Sequence, residues 1–169
     1  MNNYILENKY YLKRGNFNFF GNKIISKGKY NIIIYKEINI TSSINFYTDI
    51  IPNIFGDCGL IFGFENYKDY IDDYFLFLIN KEGYTSLFRR KKKILKKLFP
   101  DNDCIHQNYN KENIYRLSIR YNFSSNVITT YVNGIENFKI IDFNFVNSKI
   151  GLLSSDNGTI FTQILPEKI

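Results

Sequence analysis

The 169-residue sequence contains no Trp, one His, one Met, two Cys and three Pro. Each scarcity excludes something. The lone His106 has no second imidazole with which to complete a zinc site, and no acid or nucleophile stands at a diagnostic spacing from it. Cys58 and Cys104 are too few for a disulfide framework and are not spaced as a metal-binding pair. Cys58 lies inside an apolar run and reads as a small buried hydrophobe, and whether the two thiols are bonded is left open. No apolar run approaches the roughly 18 residues that span a bilayer. The N-terminal "MNNYILENKYYLKRGNF" lacks the uninterrupted apolar core of a secretory leader. The chain is therefore expected to be cytoplasmic, or extracellular if a leader has been removed. No long segment keeps a helical period. The stretch "GDCG" lacks the Lys and following helix of a phosphate-binding loop.

What is abundant points to strands. Phe and Tyr alone make 18% of the residues, and with the many Ile they favour pleated, half-buried surfaces. The length suits a single domain over residues 1–169, with 1–16 the less certain N-terminal strand. The formal charge of +6 permits an anionic partner such as nucleic acid, acidic glycan or lipid headgroups, although an Asn- and Lys-rich composition raises the charge by itself. Sequons at Asn39, Asn122 and Asn157 are as easily explained by that composition.

In "GLIFGF" (59–64) the apolar residues are β-branched, aromatic or Leu, and each Gly would cost a helix about 1 kcal/mol. In "DYFLFLI" (73–79), Phe75, Phe77 and Ile79 point one way and Tyr74, Leu76 and Leu78 the other. Both faces are apolar, so this strand is covered on both sides or has a groove on its outer face. "NKEG" (80–83) is a turn leading into the partner strand "YTSLFRR". "IYRLSIRY" sets Ile114, Arg116, Ser118 and Arg120 against Tyr115, Leu117, Ile119 and Tyr121. "YVNG" ends in the dipeptide Asn133–Gly134, the strongest short hairpin signal. About a dozen such runs, punctuated at the spacing of sandwiches and barrels, predict an all-β fold of one domain.

The order of these runs carries a resemblance. "GLIFGF", "DYFLFLI", "KEGYTSLFRR", a basic hairpin, "NIYRLSIRY", "ITTYVNGIE", "IGLLSS" and "TIFTQI" resemble the concanavalin A-like lectin/glucanase superfamily in its laminin-G-like and three-keto-disaccharide-hydrolase-like branches. The resemblance spans residues 17–165 and rests on strand and turn signatures, which speak to fold more than to activity. It implies a two-sheet antiparallel jelly-roll sandwich. It further implies that the concave sheet, or the loops at its rim, meets a ligand, often a glycan.

Catalysis on such a fold needs two facing carboxylates. The "ExDxxE" pattern of the laminarinase branch is absent, and the nearest acidic cluster, Asp69, Asp72 and Asp73, sits in a connector. Calcium binding by these carboxylates is conceivable, but the spacing matches no EF-hand loop. Tyr can replace Trp as a sugar platform, which makes Tyr74, Tyr84, Tyr115 and Tyr131 stacking candidates, with Arg89, Arg90, Arg116 and Arg120 as polar contacts. "FRRKKKILKKLF" (88–99) carries seven basic residues. It is either a strand–turn–strand whose Lys-rich tip discourages edge pairing, or a grip on phosphate, sulfate or anionic lipid through Lys91, Lys92, Lys93, Lys96 and Lys97. Phe88 and Leu98 are expected to face the core in either case. The function expected is a non-catalytic module binding a glycan or a protein without a cofactor. A sugar-active hydrolase of the same fold and a binder of anionic polymers or membrane surfaces through residues 89–97 are the alternatives.

Overall fold

The computed structural model describes residues 10–36, 42–53, 56–64, 73–80, 82–99, 114–141, 148–162 and 164–168. Within these residues the chain forms thirteen strands and no helix. They are β1 (Tyr10–Phe20), β2 (Lys23–Tyr35), β3 (Ile44–Ile51), β4 (Cys58–Phe64), β5 (Asp73–Ile79), β6 (Thr85–Lys91) and β7 (Ile94–Lys97), followed by β8 (Tyr115–Asn122), β9 (Val127–Val132), β10 (Ile135–Ile140), β11 (Lys149–Ser154), β12 (Ile160–Thr162) and β13 (Leu165–Lys168). No helix among the described residues is long and apolar enough to cross a membrane.

The strands follow the order β10-β9-β8-β3-β12-β2-β11-β4-β5-β6-β7, with β1 on β2 and β13 on β3. The sandwich expected from the sequence is present, but its two layers are one continuous hydrogen-bonded sheet folded over at β2. Residues 23–25 of β2 pair with β12, and residues 31–34 pair with β11. Between those halves lie Gly28 at φ 77° and Tyr30 at φ 55°. β1 bends with its partner, shifting register on either side of Arg14, where Gly15 has φ 75°.

Buried polar groups hold this corner. Asn31 Oδ1 accepts from the Asn16 backbone N–H at 2.9 Å, and its Nδ2 donates to the Gly28 carbonyl at 2.8 Å. A Cβ on Gly15 would run into the Asn31 side chain. The Asp156 carbonyl accepts from the hydroxyls of Ser26 and Ser154, each at 2.7 Å. Ser26 also exchanges bonds with Thr159 and Gly158, which ties the 155–158 turn to the bend. Asn31, Ser26, Ser154 and Thr159 are buried, so each takes its partner from within the protein.

The core lies between the layers. Phe77 of β5 meets Phe138 of β10 edge to face at 6.1 Å, although seven strands separate them in the sheet order. Phe99 stacks on Phe138 at 4.9 Å. β5 is buried on both faces, as its pattern predicted: Phe75, Phe77 and Ile79 join the inter-layer core, and Tyr74, Leu76 and Leu78 join a second apolar cluster on the outside of their layer. Leu98 packs on the core as expected, whereas Phe88 packs on the outer cluster. The correction follows from register. Phe88 pairs with Leu76 and shares its face, while Leu87 pairs with Phe77 and takes the core side.

Two hairpins show the same backbone with different chemistry. Asn133 and Gly134 have φ of 51° and 82°, the left-handed pair required by a two-residue turn. Lys92 and Lys93 adopt φ of 49° and 68° at the β6–β7 tip, a conformation costing ordinary residues about 1 kcal/mol or more each.

Urea denaturation tests both constraints. Asn31→Ala should destabilise by about 2–4 kcal/mol, because two corner backbone groups lose their partner. Gly134→Val should cost about 1 kcal/mol or more through φ alone, since no atom lies within 4 Å of the added Cβ. By the same logic Lys93→Gly should gain up to about 1 kcal/mol. An unchanged midpoint in Asn31→Ala would remove this side chain from its place in the corner.

Candidate functional site

The two outward faces of the sandwich differ in chemistry. Outside β4, β5 and β6 lie Ile61, Tyr74, Leu76 and Leu78, with Phe88 and Leu153 alongside. Arg90 covers this face at one end, its guanidinium 5.8 Å from the Tyr74 ring centre and its Nη1 donating to the Tyr74 hydroxyl at 3.1 Å. Tyr74 is only 7% exposed, so it offers no open ring to a ligand.

The outside of β3, β8 and β9 is polar and aromatic. Alternation sends Phe46, Thr48, Ile50, Leu117 and Ile119 inward and leaves Asn45, Tyr47, Asp49, Arg116, Ser118, Arg120 and Tyr131 facing outward. Register then makes rows. Tyr47 pairs with Ser118, and Ser118 with Tyr131. Asp49 pairs with Arg116, and Asn45 with Arg120. The small Ser118 thus stands between two tyrosines whose strands lie about 10 Å apart, twice the normal spacing.

The arginines complete this plate. Arg116 lies 4.7 Å from the Tyr47 ring centre, and Arg120 lies 5.1 Å from that of Tyr131. Arg116 Nε and Nη2 reach the two oxygens of Asp49 at 2.7 and 3.0 Å. That bidentate pairing pushes the Arg116 pKa further up, first through the hydrogen bond and then through the charge of Asp49. At one edge Asn45 Nδ2 donates to Glu167 at 3.4 Å. The result is a surface of guanidinium planes and phenol rings with hydroxyl and carboxylate groups beside them. Flat apolar faces next to fixed donors and acceptors suit a sugar ring, whose C–H face stacks while its hydroxyls hydrogen-bond.

The residues singled out in the sequence therefore fall in separate places. Arg116, Arg120 and Tyr131 come together on the β3–β8–β9 face. Tyr74 and Arg90 meet on the opposite layer. Tyr84, just before β6, is 44% exposed. Tyr115, one of the stacking candidates, is 1% exposed and belongs to the core, because it occupies the inward register of β8. Arg89 faces the inner side of the β6–β7 hairpin, with Nε and Nη2 each 3.0 Å from an oxygen of Asp73. Lys91, Lys92, Lys93, Lys96 and Lys97 flank the hairpin tip. Tyr47 and Asp49 were missed. "INFYTDI" carries the same alternation as β8, but only the pairing with Arg116 and Ser118 distinguishes Tyr47 from a core tyrosine.

Cys58 is a free, buried thiol, and burial pushes its pKa up. His106, Cys104, Asp69 and Asp72 lie outside the described residues. Among the described residues no three His, Cys, Asp or Glu side chains converge as a metal site. Asp73, the described member of the acidic cluster, is committed to Arg89.

Solved structures place the architecture. The carbohydrate binding module CBM66 from Bacillus subtilis superposes with a TM-score of 0.70 at 16% identity, over 95% of this chain and 96% of that one. The chain has the concanavalin A-like lectin/glucanase fold. The metal-free carbohydrate recognition domain of Emp46p matches with a TM-score of 0.68 at 11% identity, over 94% and 88% of the two chains. Its potassium-bound form also matches, with a TM-score of 0.66 at 13% identity, over 96% and 88%. A xylan β-1,4-xylosidase from Bacillus halodurans matches with a TM-score of 0.60 at 11% identity, over 86% of this chain and 33% of that enzyme. No family model and no curated protein matches the sequence.

The exposure of the Arg116–Asp49 pair limits its structural weight, with side chains 54% and 24% accessible. Asp49→Ala should lower stability by no more than about 1 kcal/mol, read as the shift in thermal midpoint. A loss of several kcal/mol would mean that the pair is a structural anchor and not a surface element.

Proposed function

We propose that the chain is a non-catalytic carbohydrate-binding module that meets its glycan on the β3–β8–β9 face. The observation that carries this reading is the Tyr47–Ser118–Tyr131 row with Arg116 and Arg120 laid over its two rings. A sugar would stack on the half-buried rings and the guanidinium planes and bond its hydroxyls to Arg116 and Arg120, with the small Ser118 leaving room between the rings. The likeness in fold to a carbohydrate binding module and to a carbohydrate recognition domain supports the same reading.

Binding is favoured over hydrolysis by the state of the carboxylates on this face. Both oxygens of Asp49 are held by Arg116, and Glu167 accepts from Asn45. A general acid needs a carboxyl group free to reach the leaving oxygen, and both oxygens of Asp49 are committed to one guanidinium. The outer face of β4, β5 and β6 is disfavoured because its tyrosine and aliphatic side chains are buried.

A glycan array, followed by calorimetric titration of the best oligosaccharide, tests the proposal. Tyr47→Ala and Tyr131→Ala should each weaken binding about tenfold, and the double variant should lose it, with the thermal midpoint little changed. Full binding by the double variant would overturn the assignment of this face. Failure to bind any glycan would overturn the carbohydrate reading.

A further inference from the structure

We propose a second binding site: the β6–β7 hairpin docks the domain onto an anionic phospholipid surface. Its lysines face the headgroups, and Ile94 and Leu95 enter the interface.

Charge placement is the first support. The hairpin, residues 88–99, holds seven of the 22 basic residues and no acidic one. The rest of the chain has 15 basic residues against 16 acidic ones, so the whole positive excess of the protein sits on this one hairpin. A general Lys enrichment would spread the charge. Here it is gathered at the end of the sheet, where β7 is the last strand of the order.

The second support is local geometry. All of residues 91–96 are exposed. One side of the hairpin forms a groove of about 340 Å³ lined by Arg89, Lys91, Lys92, Ile94, Lys96 and Leu98. Arg89 is held by Asp73, whereas Lys91, Lys92 and Lys96 make no ion pair among the described residues. The turn places Lys92 and Lys93 in the left-handed region, where Asn and Gly stand in the 133–134 turn. Strain retained at an exposed tip is characteristic of a functional segment. It puts two ammonium groups at the outermost point of the sheet.

The third support decides the kind of partner. Ile94 is 70% exposed and Leu95 53%. They are adjacent on β7 and so project to opposite sides of the hairpin. A tip that served only to prevent edge pairing would gain from its lysines and lose from two bare aliphatics. A soluble polyanion would engage the cations and leave the aliphatics in water. Nucleic acid would also be expected to find stacking rings, but Phe88 packs on the outer cluster and Phe99 stacks on Phe138 in the core. A bilayer interface satisfies both sets of groups at once. Lysine stems lie along the apolar boundary with their charges at the phosphates, and the aliphatics leave water.

Co-sedimentation with vesicles tests this. The unaltered protein should bind vesicles of phosphatidylcholine containing about 30% phosphatidylserine and not vesicles of phosphatidylcholine alone, and binding should fall with added salt. Lys91→Gln, Lys92→Gln and Lys96→Gln together should weaken binding about a hundredfold. Ile94→Ser with Leu95→Ser should weaken it about tenfold or more, while retention on immobilised heparin stays unchanged. Should the triple variant melt early, Lys92→Gln alone carries the same test with about a fivefold effect. Glycan binding at Tyr47 and Tyr131 should survive all of these changes, so the two sites fail or stand separately. Equal binding to both vesicle types would overturn the proposal. So would full vesicle binding by the Ile94 and Leu95 variant, which would leave a polyanion grip or surface charge alone.

Discussion

The sandwich depends on one bend. β2 is a single strand that must serve two layers, and it does so by turning between residues 27 and 31 while keeping β1 alongside. A strand that bends gives up ladder hydrogen bonds, and the groups beside the bend need other partners. Asn31 supplies the missing groups from one side chain, accepting from Asn16 and donating to Gly28. The 155–158 turn closes the knot from the other end of the chain, through the Asp156 carbonyl and the Ser26 and Ser154 hydroxyls. N-terminal and C-terminal segments are thereby joined before any of the aromatic core is considered.

Once the sheet is folded over, its two faces have different fates. Inward positions from both halves meet in one core, where Phe77 touches Phe138 across the gap. The outward positions separate by layer. Those of β4, β5 and β6 are apolar and mostly buried, and those of β3, β8 and β9 are polar or aromatic and run from buried Ser118 to exposed Arg116 and Arg120. The proposed glycan surface is therefore made by register. Shifting β3 by one residue against β8 would turn Tyr47 and Asp49 inward and expose Phe46 and Thr48, removing the surface and breaking the core together.

The hairpin follows a different logic. It adds little to the core beyond Leu87, Leu98 and Phe99, and its turn is built from residues that resist the conformation they adopt. Stability alone would place Asn and Gly there, as at 133–134. Two lysines in their stead, two aliphatics left in water and a charge excess confined to one element share a single explanation in a partner that is both anionic and apolar.

The sequence by itself determined the strands, the turns and the class of fold. Period-two alternation in "IYRLSIRY" and "DYFLFLI" is imposed by the pleat and needs no tertiary context, and "NG" carries its own φ preference. The glycine-punctuated order of the runs was enough to point to the concanavalin A-like fold. Only the tertiary structure decided which residues share a surface. Arg116 and Arg120 were legible as outward, but Tyr47 and Asp49 lie about seventy residues away and reach them through strand pairing alone. Alternation already set Tyr115 beside Leu117 and Ile119, and it lies in the core, whereas Tyr131 stands on the outward face with Arg120 over its ring. Phe88 was read inward because apolar residues usually are, and the outer cluster on its layer gave it another buried place. Alternation is local and survives in one dimension. A binding surface joins residues across strands, and hydrogen-bonded register, set by burial of the opposite face, is what brings them together.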